Sequence, residues 1–570
     1  MLIRLRLISI FFAFAYLVLV VRLFYWQIYK GKELSVEARG QYQAQWSIDA
    51  PRGDILSSDG SWLAASADSW LIYASLPDIK EPSKKISEQL APLLVEDPED
   101  KDALFTEIDR IYSLLTRDNV EWIPIKSKVT PEVKKHIEKL EISGIGYELQ
   151  EARIYPEAST AAQLMGFVGK DEAGGDIGYF GLEGYYDVVL SGKPGFKARE
   201  RDASGIPILL GTTREISAIK GVDLQTNIDK FIQLTLDKKL KEGIERYGAS
   251  AGVAVVMNPK NGAILGMGAY PSYDPSEYWE FGDELFNNPV ISNSFEPGSV
   301  FKVIVMASAL DAGVVKPDTI CNICGGAVKV DKYTIETWNQ QYYPNSTLTD
   351  VIVHSDNVGM VFTSRRIGAD ILFDYLENFG IGKPTGIDLQ GEANPGLRDK
   401  GKWSSVDLAT AGFGQGVAVT PIQLLTAVSV IANKGVKVTP QVVDKLVGDG
   451  WEEDIKPVIG KRVISQRSAE QITTMMVEAA KNGESKWTHA RGFRVAGKTG
   501  TAQIPIEGHY DEDKTIASFV GFAPYDNPKF LMLVTLRQPT TSPWASETAA
   551  PLWYSIAKDF FEYFQIQPEK

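Results

Sequence analysis

Residues 296–310 have the sequence EPGSVFKVIVMASAL, in which a Pro-Gly turn leads into an apolar segment. The pattern predicts a helix over Val300 to Leu310 with Ser299 at its N-terminus, where backbone N–H groups and the helix dipole favour developing negative charge. Lys302 follows three residues later on the same helical face. A lysine in a desolvated site can lose its proton and act as a base, so the segment predicts an activated serine nucleophile.

Ser-x-x-Lys is a weak motif by itself, and the chain contains two more copies, Ser217/Lys220 and Ser555/Lys558. Ser217 lies just before a predicted domain boundary, and Ser555 has no Gly or Pro directly before it. We interpret both as structural. A Ser-His-Asp hydrolase is disfavoured, because the four histidines are scattered and no Gly-x-Ser-x-Gly elbow is present.

Two further motifs carry polar side chains that suit acyl transfer from a peptide. Residues 355–357 are the only Ser-x-Asn in the chain, and residues 498–501 contain the only Lys-Thr-Gly. A second hydroxyl can relay protons, and an amide can hold a peptide carbonyl. In the third motif Gly500 permits close approach to a strand, while lysine and threonine suit a substrate carboxylate. Alone, either motif would be unremarkable.

The order of the three motifs is specific: Ser-x-x-Lys, Ser-x-Asn and Lys-Thr-Gly, with 56 and 143 residues between their first positions. This is the signature set of penicillin-binding proteins and serine β-lactamases. Further stretches are similar to class B motifs: Arg-Gly-Asp-Ile at 52–55, Arg-Ile-Tyr-Pro at 153–156, Gly-Leu-Glu at 181–183 and Gly-Phe-Gly-Gln-Gly at 412–416. Nearly the whole chain therefore resembles the class B penicillin-binding proteins, the D,D-transpeptidases that cross-link peptidoglycan.

The resemblance implies a role for each motif residue. Ser299 would attack the carbonyl between two terminal D-alanines of a stem peptide, and Lys302 would accept its proton. The oxyanion would rest on the backbone N–H groups of Ser299 and Thr501.

The second and third motifs would serve the leaving group and the substrate. Ser355, with Lys498, would pass a proton to the departing D-alanine. Asn357 would position the peptide, and Thr499 and Thr501 would bind its terminal carboxylate. An amine from a neighbouring strand would then resolve the acyl-enzyme, and β-lactams would occupy the same site.

Composition limits other functions. The net charge of −14 argues against nucleic acid as a partner. With four histidines and two cysteines, neither a metal nor another cofactor is expected. Cys321 and Cys324 are expected to form a short-loop disulfide or to remain two thiols, in preference to a zinc site.

The N-terminus predicts a membrane anchor. Leu7 to Val21 and Leu23 to Ile28 are mostly apolar and together cover a stretch of about 22 residues, enough to span a bilayer. Arg4 and Arg6 favour a cytoplasmic N-terminus, which places the remainder outside the cytoplasm. A cleaved signal peptide is the alternative. Arg22 would snorkel to the interface or face a partner in the membrane.

Three regions are predicted: an anchor at 1–30, an elongated α+β pedestal at 31–225, and a transpeptidase domain at 226–570. The pattern of the pedestal is poor in strands, with helices predicted over Lys84 to Leu94 and Pro131 to Leu140 and short strands and turns over the rest. The last region is expected to be α/β, with a central antiparallel sheet flanked by helices. Its predicted elements are helices Asp229 to Tyr247 and Pro421 to Asn433, and strands Ala251 to Met257, Ala263 to Tyr270, Arg494 to Gln503, Ile516 to Phe522 and Phe530 to Arg537.

Alternatives remain at this point: a serine β-lactamase, a β-lactam sensor, or a non-catalytic cell-wall scaffold. Against the β-lactamase, the only Glu-x-x-x-Asn between the last two motifs is Glu478 to Asn482, far from the second motif. The resemblance also implies a polytopic membrane glycosyltransferase as partner. A division or an elongation role, and the role of His354, stay open.

Overall fold

The structure is a computed structural model that describes residues 2–34, 43–95, 97–156, 160–172, 174–200, 213–490, 492–506 and 509–569. The chain forms two compact units. One comprises residues 1–52 and 191–221, and the other comprises residues 53–190 and 222–570.

The helices and strands of the described residues are numbered in chain order. The helices are α1 (Leu2–Phe24), α2 (Ser83–Leu94), α3 (Lys101–Leu115), α4 (Pro131–Glu138), α5 (Ala162–Met165), α6 (Gly181–Tyr185), α7 (Asp187–Leu190), α8 (Lys230–Tyr247), α9 (Pro289–Ser292), α10 (Lys302–Asp311), α11 (Leu348–Val353), α12 (Asn357–Ile367), α13 (Ala369–Phe379), α14 (Ser405–Ala411), α15 (Pro421–Ala432), α16 (Gln466–Asn482) and α17 (Ala549–Tyr563). The strands are β1 (Gln43–Ile48), β2 (Ile55–Leu56), β3 (Trp62–Ser75), β4 (Trp122–Val129), β5 (Ile145–Ile154), β6 (Phe167–Lys170), β7 (Asp176–Tyr179), β8 (Gly195–Glu200), β9 (Thr213–Ile216), β10 (Asp223–Thr226), β11 (Ala251–Met257), β12 (Ile264–Tyr270), β13 (Val328–Val330), β14 (Tyr333–Ile335), β15 (Val436–Val438), β16 (Val443–Gly448), β17 (Trp451–Asp454), β18 (Ile459–Arg462), β19 (Ala496–Ile506), β20 (His509–Ala523) and β21 (Phe530–Arg537).

The first unit contains the apolar N-terminal helix and a small sheet. Helix α1 continues into a single π-helical turn at Tyr25–Tyr29. Together they give an apolar helix over Ile3–Tyr29, whose 27 residues are long enough to cross a membrane by length and composition. The sheet has the order β1-β8-β9, with antiparallel pairing throughout.

The pedestal part of the second unit is richer in strands than expected. A seven-stranded sheet joins pedestal strands to β16 and β17 of the predicted transpeptidase region; its order is β17-β16-β10-β2-β3-β4, and β5 pairs with β3 over ten residues. The expectation that the strands here are few and short is therefore wrong for β3 and β5, which have 14 and 10 residues. Strand β3 contains the small residues Ala64 to Ala67 near its start, and its burial does not follow the two-residue alternation by which strands are recognised.

Helix prediction in the pedestal is correct for α2 and α4 and wrong by omission for α3. Thr130 caps α4 as predicted, since its hydroxyl accepts a hydrogen bond from the Val133 N–H. Helix α3 has a comparable signal, because Asp100 accepts from the N–H groups of Asp102 and Ala103. Its residues Ile108, Ile111 and Leu115 recur at helical spacing and pack on the pedestal core, so the sequence does carry the pattern and the prediction overlooked it.

The central antiparallel sheet is confirmed. Its order is β12-β11-β21-β20-β19, and every neighbouring pair is antiparallel. Successive residues of β11 face opposite sides: Val253 and Val255 join the core that contains α10 and α15, whereas Ala254 and Val256 join the core that contains α8 and α17. Helices thus cover both faces, each buried aliphatic side chain contributing about 1.5–3 kcal/mol.

Two features of this domain position the site. Strand β19 lies at an edge of the sheet, so its outer side is not paired within the sheet. Helix α15 has the predicted capping box, in which Thr420 and Gln423 exchange hydrogen bonds, and it is buried along its length. It belongs to the same core as the buried helix α10, which carries Lys302.

Candidate active site

The turn that carries Ser299 is tighter than predicted. Residues Gly298–Phe301 form a 3₁₀ turn, and the α-helix begins only at Lys302. Gly298 has φ +55°, which favours glycine, and a Cβ there would lie 3.0 Å from the Thr501 carbonyl oxygen. The Gly298 N–H donates to the Gly414 carbonyl at 3.1 Å, so the 412–416 segment supports the turn from behind.

The same turn packs against β19 at Gly500. A Cβ on Gly500 would lie 2.5 Å from Val300 Cγ2 and 3.0 Å from the Pro297 carbonyl oxygen. Glycine is therefore required for this close approach. Ser299 is half-buried between Gly298, which lies close to Thr501, and Val300, which lies close to Gly500.

Lys302 connects the first motif to the second. Its fully buried Nζ donates to the Ser355 carbonyl at 2.5 Å and to Asn357 Oδ1 at 2.8 Å, and it lies 3.3 Å from Ser355 Oγ. Burial lowers the pKa of Lys302 to about 7; the charge of Lys498 adds to this effect, while two carboxylates oppose it. The neutral form of Lys302, which the predicted role as base requires, is therefore populated at neutral pH.

The second motif is a strained turn between α11 and α12. Ser355 adopts a left-handed conformation with φ +56°, which is uncommon for a residue with a side chain. Asp356 caps α12 by accepting from the N–H groups of Val358 and Gly359 at 2.8 and 3.2 Å. The cap holds the turn so that Ser355 and Asn357 both face Lys302.

Lys498 completes the connection to the third motif. Its buried Nζ donates to Ser355 Oγ at 3.0 Å and to the Thr499 carbonyl and hydroxyl oxygens at 3.2 Å each. Burial lowers the pKa of Lys498, and Glu484 opposes that effect. The Ser355 hydroxyl thus stands between two buried lysines.

The two threonines of the third motif have different partners. Thr499 Oγ1 donates to Glu484 Oε2 at 2.7 Å, whereas Thr501 Oγ1 accepts from the Ala545 N–H at 3.0 Å. Sequence reasoning missed Glu484. It belongs to none of the three motifs and follows the end of α16, so no spacing rule singles it out.

An aromatic pair lies near the second and third motifs. The rings of Trp338 and Trp544 are 4.9 Å apart. The Trp338 indole donates to the carbonyl of His354, beside Ser355, and Trp544 precedes Ala545, which contacts Thr501. Both tryptophans are partly exposed.

Two open questions from the sequence receive structural answers. Cys321 and Cys324 form a disulfide, and both are fully buried. The His354 ring stacks on Tyr343 at 4.0 Å, which gives it a packing contact next to the second motif. The competing Ser555 lies on α17, whose buried residues belong to the core on the opposite face of the sheet.

Two family descriptions match the chain. "Penicillin binding protein transpeptidase domain" matches residues 252–561, and "Penicillin-binding Protein dimerisation domain" matches residues 47–226. The chain belongs to the penicillin-binding protein family. The resemblance found in the sequence is thereby confirmed, since this penicillin-binding protein has the two domains of class B members.

Individual relatives agree with this membership. Stage V sporulation protein D of Bacillus subtilis (strain 168) is 32% identical over 574 residues, which cover 100% of this chain and 86% of that protein. Probable peptidoglycan D,D-transpeptidase PenA of Neisseria gonorrhoeae is 29% identical, covering 92% and 86%. The crystal structure of penicillin binding protein 2X from Streptococcus thermophilus has a TM-score of 0.74 at 24% identity, covering 91% and 80%, and shares the fold.

Proposed function

We propose that this penicillin-binding protein is a serine-type peptidoglycan D,D-transpeptidase that cross-links stem peptides through a Ser299 acyl-enzyme. The observation that carries the proposal is the Ser355 hydroxyl, held between buried Lys302 and Lys498 beside the turn of Ser299. Such an arrangement suits a reaction that moves one proton from a nucleophile to a leaving amine. A relative such as PenA, named a probable peptidoglycan D,D-transpeptidase, supports the same activity.

In the acylation step, neutral Lys302 takes the proton of Ser299 as the serine oxygen bonds to the carbonyl carbon of the penultimate D-alanine. The carbonyl oxygen gains negative charge and receives hydrogen bonds from the backbone N–H groups of Ser299 and Thr501. The lowered pKa of Lys302 supports this role, because a base with a pKa near the working pH transfers protons efficiently.

Collapse of the intermediate breaks the peptide bond and expels D-alanine. The leaving nitrogen takes a proton through the Ser355 hydroxyl, which Lys498 orients from 3.0 Å. Asn357 holds the donor peptide, and positive Lys498 with the threonines of the third motif favours the terminal carboxylate. The stem peptide and the β-lactams both carry a carboxylate that this site would bind, which explains why β-lactams would acylate the same serine.

An amine of a second stem peptide then attacks the ester, which forms the cross-link and releases Ser299. When water replaces the amine, the product is a shortened peptide, so a D,D-carboxypeptidase side activity is part of the proposal. No cofactor takes part in either route.

A serine β-lactamase is the main competing function. Its hydrolysis needs a base that holds water on the ester. Glu478, the sequence candidate, lies on α16 and accepts a hydrogen bond from Asn482 at 2.8 Å on the solvent side of that helix. This pairing disfavours efficient hydrolysis. A non-catalytic scaffold is disfavoured because all three motifs are intact. A β-lactam sensor would keep these motifs, so the cross-linking assay below separates it from a transpeptidase.

The proposal includes an arrangement in the cell. Residues 1–30 would form the cytoplasmic stub and single anchor, 31–225 the pedestal and 226–570 the extracytoplasmic transpeptidase domain. The apolar helix Ile3–Tyr29 supports the anchor, and Arg4 and Arg6 support the orientation. A polytopic membrane glycosyltransferase would supply the glycan strands.

The test is covalent labelling by a fluorescent penicillin, followed by cross-linking of purified stem-peptide substrates. Ser299→Ala should abolish both, whereas the matched variants Ser217→Ala and Ser555→Ala should retain both. Labelling lost in the Ser555 variant alone would reverse the assignment. Labelling without any cross-linked product would leave a penicillin-binding scaffold and contradict the transpeptidase.

A further inference from the structure

Two buried amines share one hydroxyl in this site. Lys302 Nζ lies 3.3 Å and Lys498 Nζ 3.0 Å from Ser355 Oγ. Two positive charges this close repel each other, so the pair ionises in two macroscopic steps that belong to both lysines. The proposed transpeptidase reaction requires the singly protonated pair, with its charge on Lys498 and with Lys302 neutral.

The carboxylate of Glu484 is linked asymmetrically to this pair. Lys498 Nζ donates to Thr499 Oγ1 at 3.2 Å, and Thr499 Oγ1 donates to Glu484 Oε2 at 2.7 Å. One hydroxyl therefore separates Glu484 from Lys498, whereas Ser355 intervenes before Lys302. Because Coulomb attraction falls with distance, Glu484 stabilises a charge on Lys498 more than one on Lys302.

The other ionisable groups around the pair do not provide this asymmetry. The charges of Glu484 and Asp356 both act on Lys302, but Asp356 favours a proton on Lys302, and its carboxylate is hydrogen-bonded to the N-terminus of α12. His354 acts on Asp356 and stacks on Tyr343. Among the described residues, Glu484 is the carboxylate whose charge acts on Lys498.

We propose that Glu484 is a positioning residue that keeps the shared proton of the two lysines on Lys498 and so leaves Lys302 neutral to activate Ser299. The inference rests on the proposed transpeptidase function and adds a residue outside the three motifs. It also revises the proposal that both threonines of the third motif bind the substrate carboxylate. Because the Thr499 proton is directed to Glu484, the Thr501 hydroxyl, which accepts from Ala545, is the threonine donor for a substrate carboxylate.

The test is the pH dependence of acylation of the full chain in detergent by a fluorescent penicillin, from pH 5 to 10. Glu484→Gln keeps an oxygen that can accept from Thr499 but removes the charge. Loss of a nearby negative charge lowers both macroscopic pKa values of the lysine pair, so the bell-shaped profile should move to lower pH by roughly one unit. Its maximum should fall, because the charge resides on Lys498 less often.

Two variants provide controls. Glu478→Gln removes a carboxylate of the nearby helix α16 that accepts a hydrogen bond from Asn482 at the surface, and its profile should match that of the unmodified protein. Glu484→Asp retains the charge and should keep the profile at its original pH. A general structural effect would lower the maximum in both Glu484 variants without moving the curve.

The outcomes separate two hypotheses. An unmodified protein that is not labelled at Ser299 contradicts the transpeptidase proposal itself. Normal labelling together with an unshifted Glu484→Gln profile contradicts only the role of Glu484. A melting curve checks folding, and Glu484→Ser, which removes the same charge with a smaller side chain, decides the question if the glutamine variant does not fold.

Discussion

The amine of Lys302 is fully buried, and the residues that follow it on its helix are mostly apolar. Its three hydrogen-bond contacts are all to oxygen atoms of the second motif. Burial therefore lowers its pKa, while geometry keeps it beside the nucleophile turn. A lysine can serve as base here because the protein makes its neutral form accessible.

Lys302→Arg should abolish acylation, because a guanidinium remains protonated in proteins and cannot accept the Ser299 proton. The expected loss in the labelling rate constant is about 10²–10⁴-fold. In the unmodified protein the rate should rise as pH increases through about 7, since Lys302 becomes neutral in that range. Lys558→Arg, in the third Ser-x-x-Lys, is the matched control. A fully active Lys302→Arg protein would exclude this lysine as base.

Single residues were predictable where chemistry imposes a spacing. The sequence alone identifies Lys302, Ser355, Asn357 and Lys498, and the structure brings these four side chains into one network. Glu484 could not be found in this way. Its contact with Thr499 depends on how α16 ends and on where the following segment meets β19, which is a tertiary property.

At the scale of elements, β19 and the nucleophile turn meet through a position without a side chain. Gly500→Ala should push them apart, because the new Cβ would lie 2.5 Å from Val300 Cγ2 and 3.0 Å from backbone atoms. We expect about 1–3 kcal/mol of destabilisation and a large loss of acylation rate. Gly326→Ala, where a Cβ meets nothing within 4 Å, is the control. Unchanged labelling in Gly500→Ala would show that the contact is not critical.

Helix α8 contains a carboxyl group whose protonation affects stability. Asp237 accepts from the Gln233 amide at 2.9 Å and from the Ala161 N–H at 3.2 Å, and burial raises its pKa to about 7. The folded state therefore holds this proton at a pH where the unfolded chain has lost it. Stability from this group is complete below about pH 4 and is lost as pH rises toward 7.

Asp237→Asn should raise the melting temperature at pH 8 and change it little at pH 4. The gain at pH 8 should be a few kcal/mol in unfolding free energy, at about 1.4 kcal/mol per pKa unit. The exposed Asp526 offers a control substitution, Asp526→Asn, with no effect expected at either pH. Equal changes at pH 4 and pH 8 for Asp237→Asn would rule out ionisation as the cause.

Elements were predictable where local signals agree. The capped helix α15 and the strands β11, β20 and β21 follow from hydrophobic runs and turns, and their bounds match the prediction within a few residues or extend it. Strand β3 was missed because small and half-buried residues hide its alternation. Its pairing with β5 links segments about 80 residues apart, and no local pattern encodes such a contact.

At the scale of the whole molecule, the N-terminal helix Ile3–Tyr29 differs from the other described helices in being long and apolar enough to cross a membrane. Deleting residues 1–30 should yield a folded protein that stays in solution and reacts with penicillin, because the three motifs lie beyond residue 290. Retention of the truncated chain on membranes would indicate a second lipid-binding surface.

The penicillin adduct of the truncated protein should persist for minutes or longer after free drug is removed, as followed by intact mass. Loss of the adduct within seconds would indicate a β-lactamase.

The tryptophan pair gives this protein an internal optical reporter. Trp338 and Trp544 come from segments about 200 residues apart in sequence, yet their rings are 4.9 Å apart, beside the second and third motifs. Two indoles at this separation can couple electronically, so their circular dichroism and fluorescence depend on the contact. A ligand that enters between them would change both signals. Stopped-flow emission could therefore time unlabelled drugs and peptides as they arrive, and replacing either tryptophan by phenylalanine should silence the response.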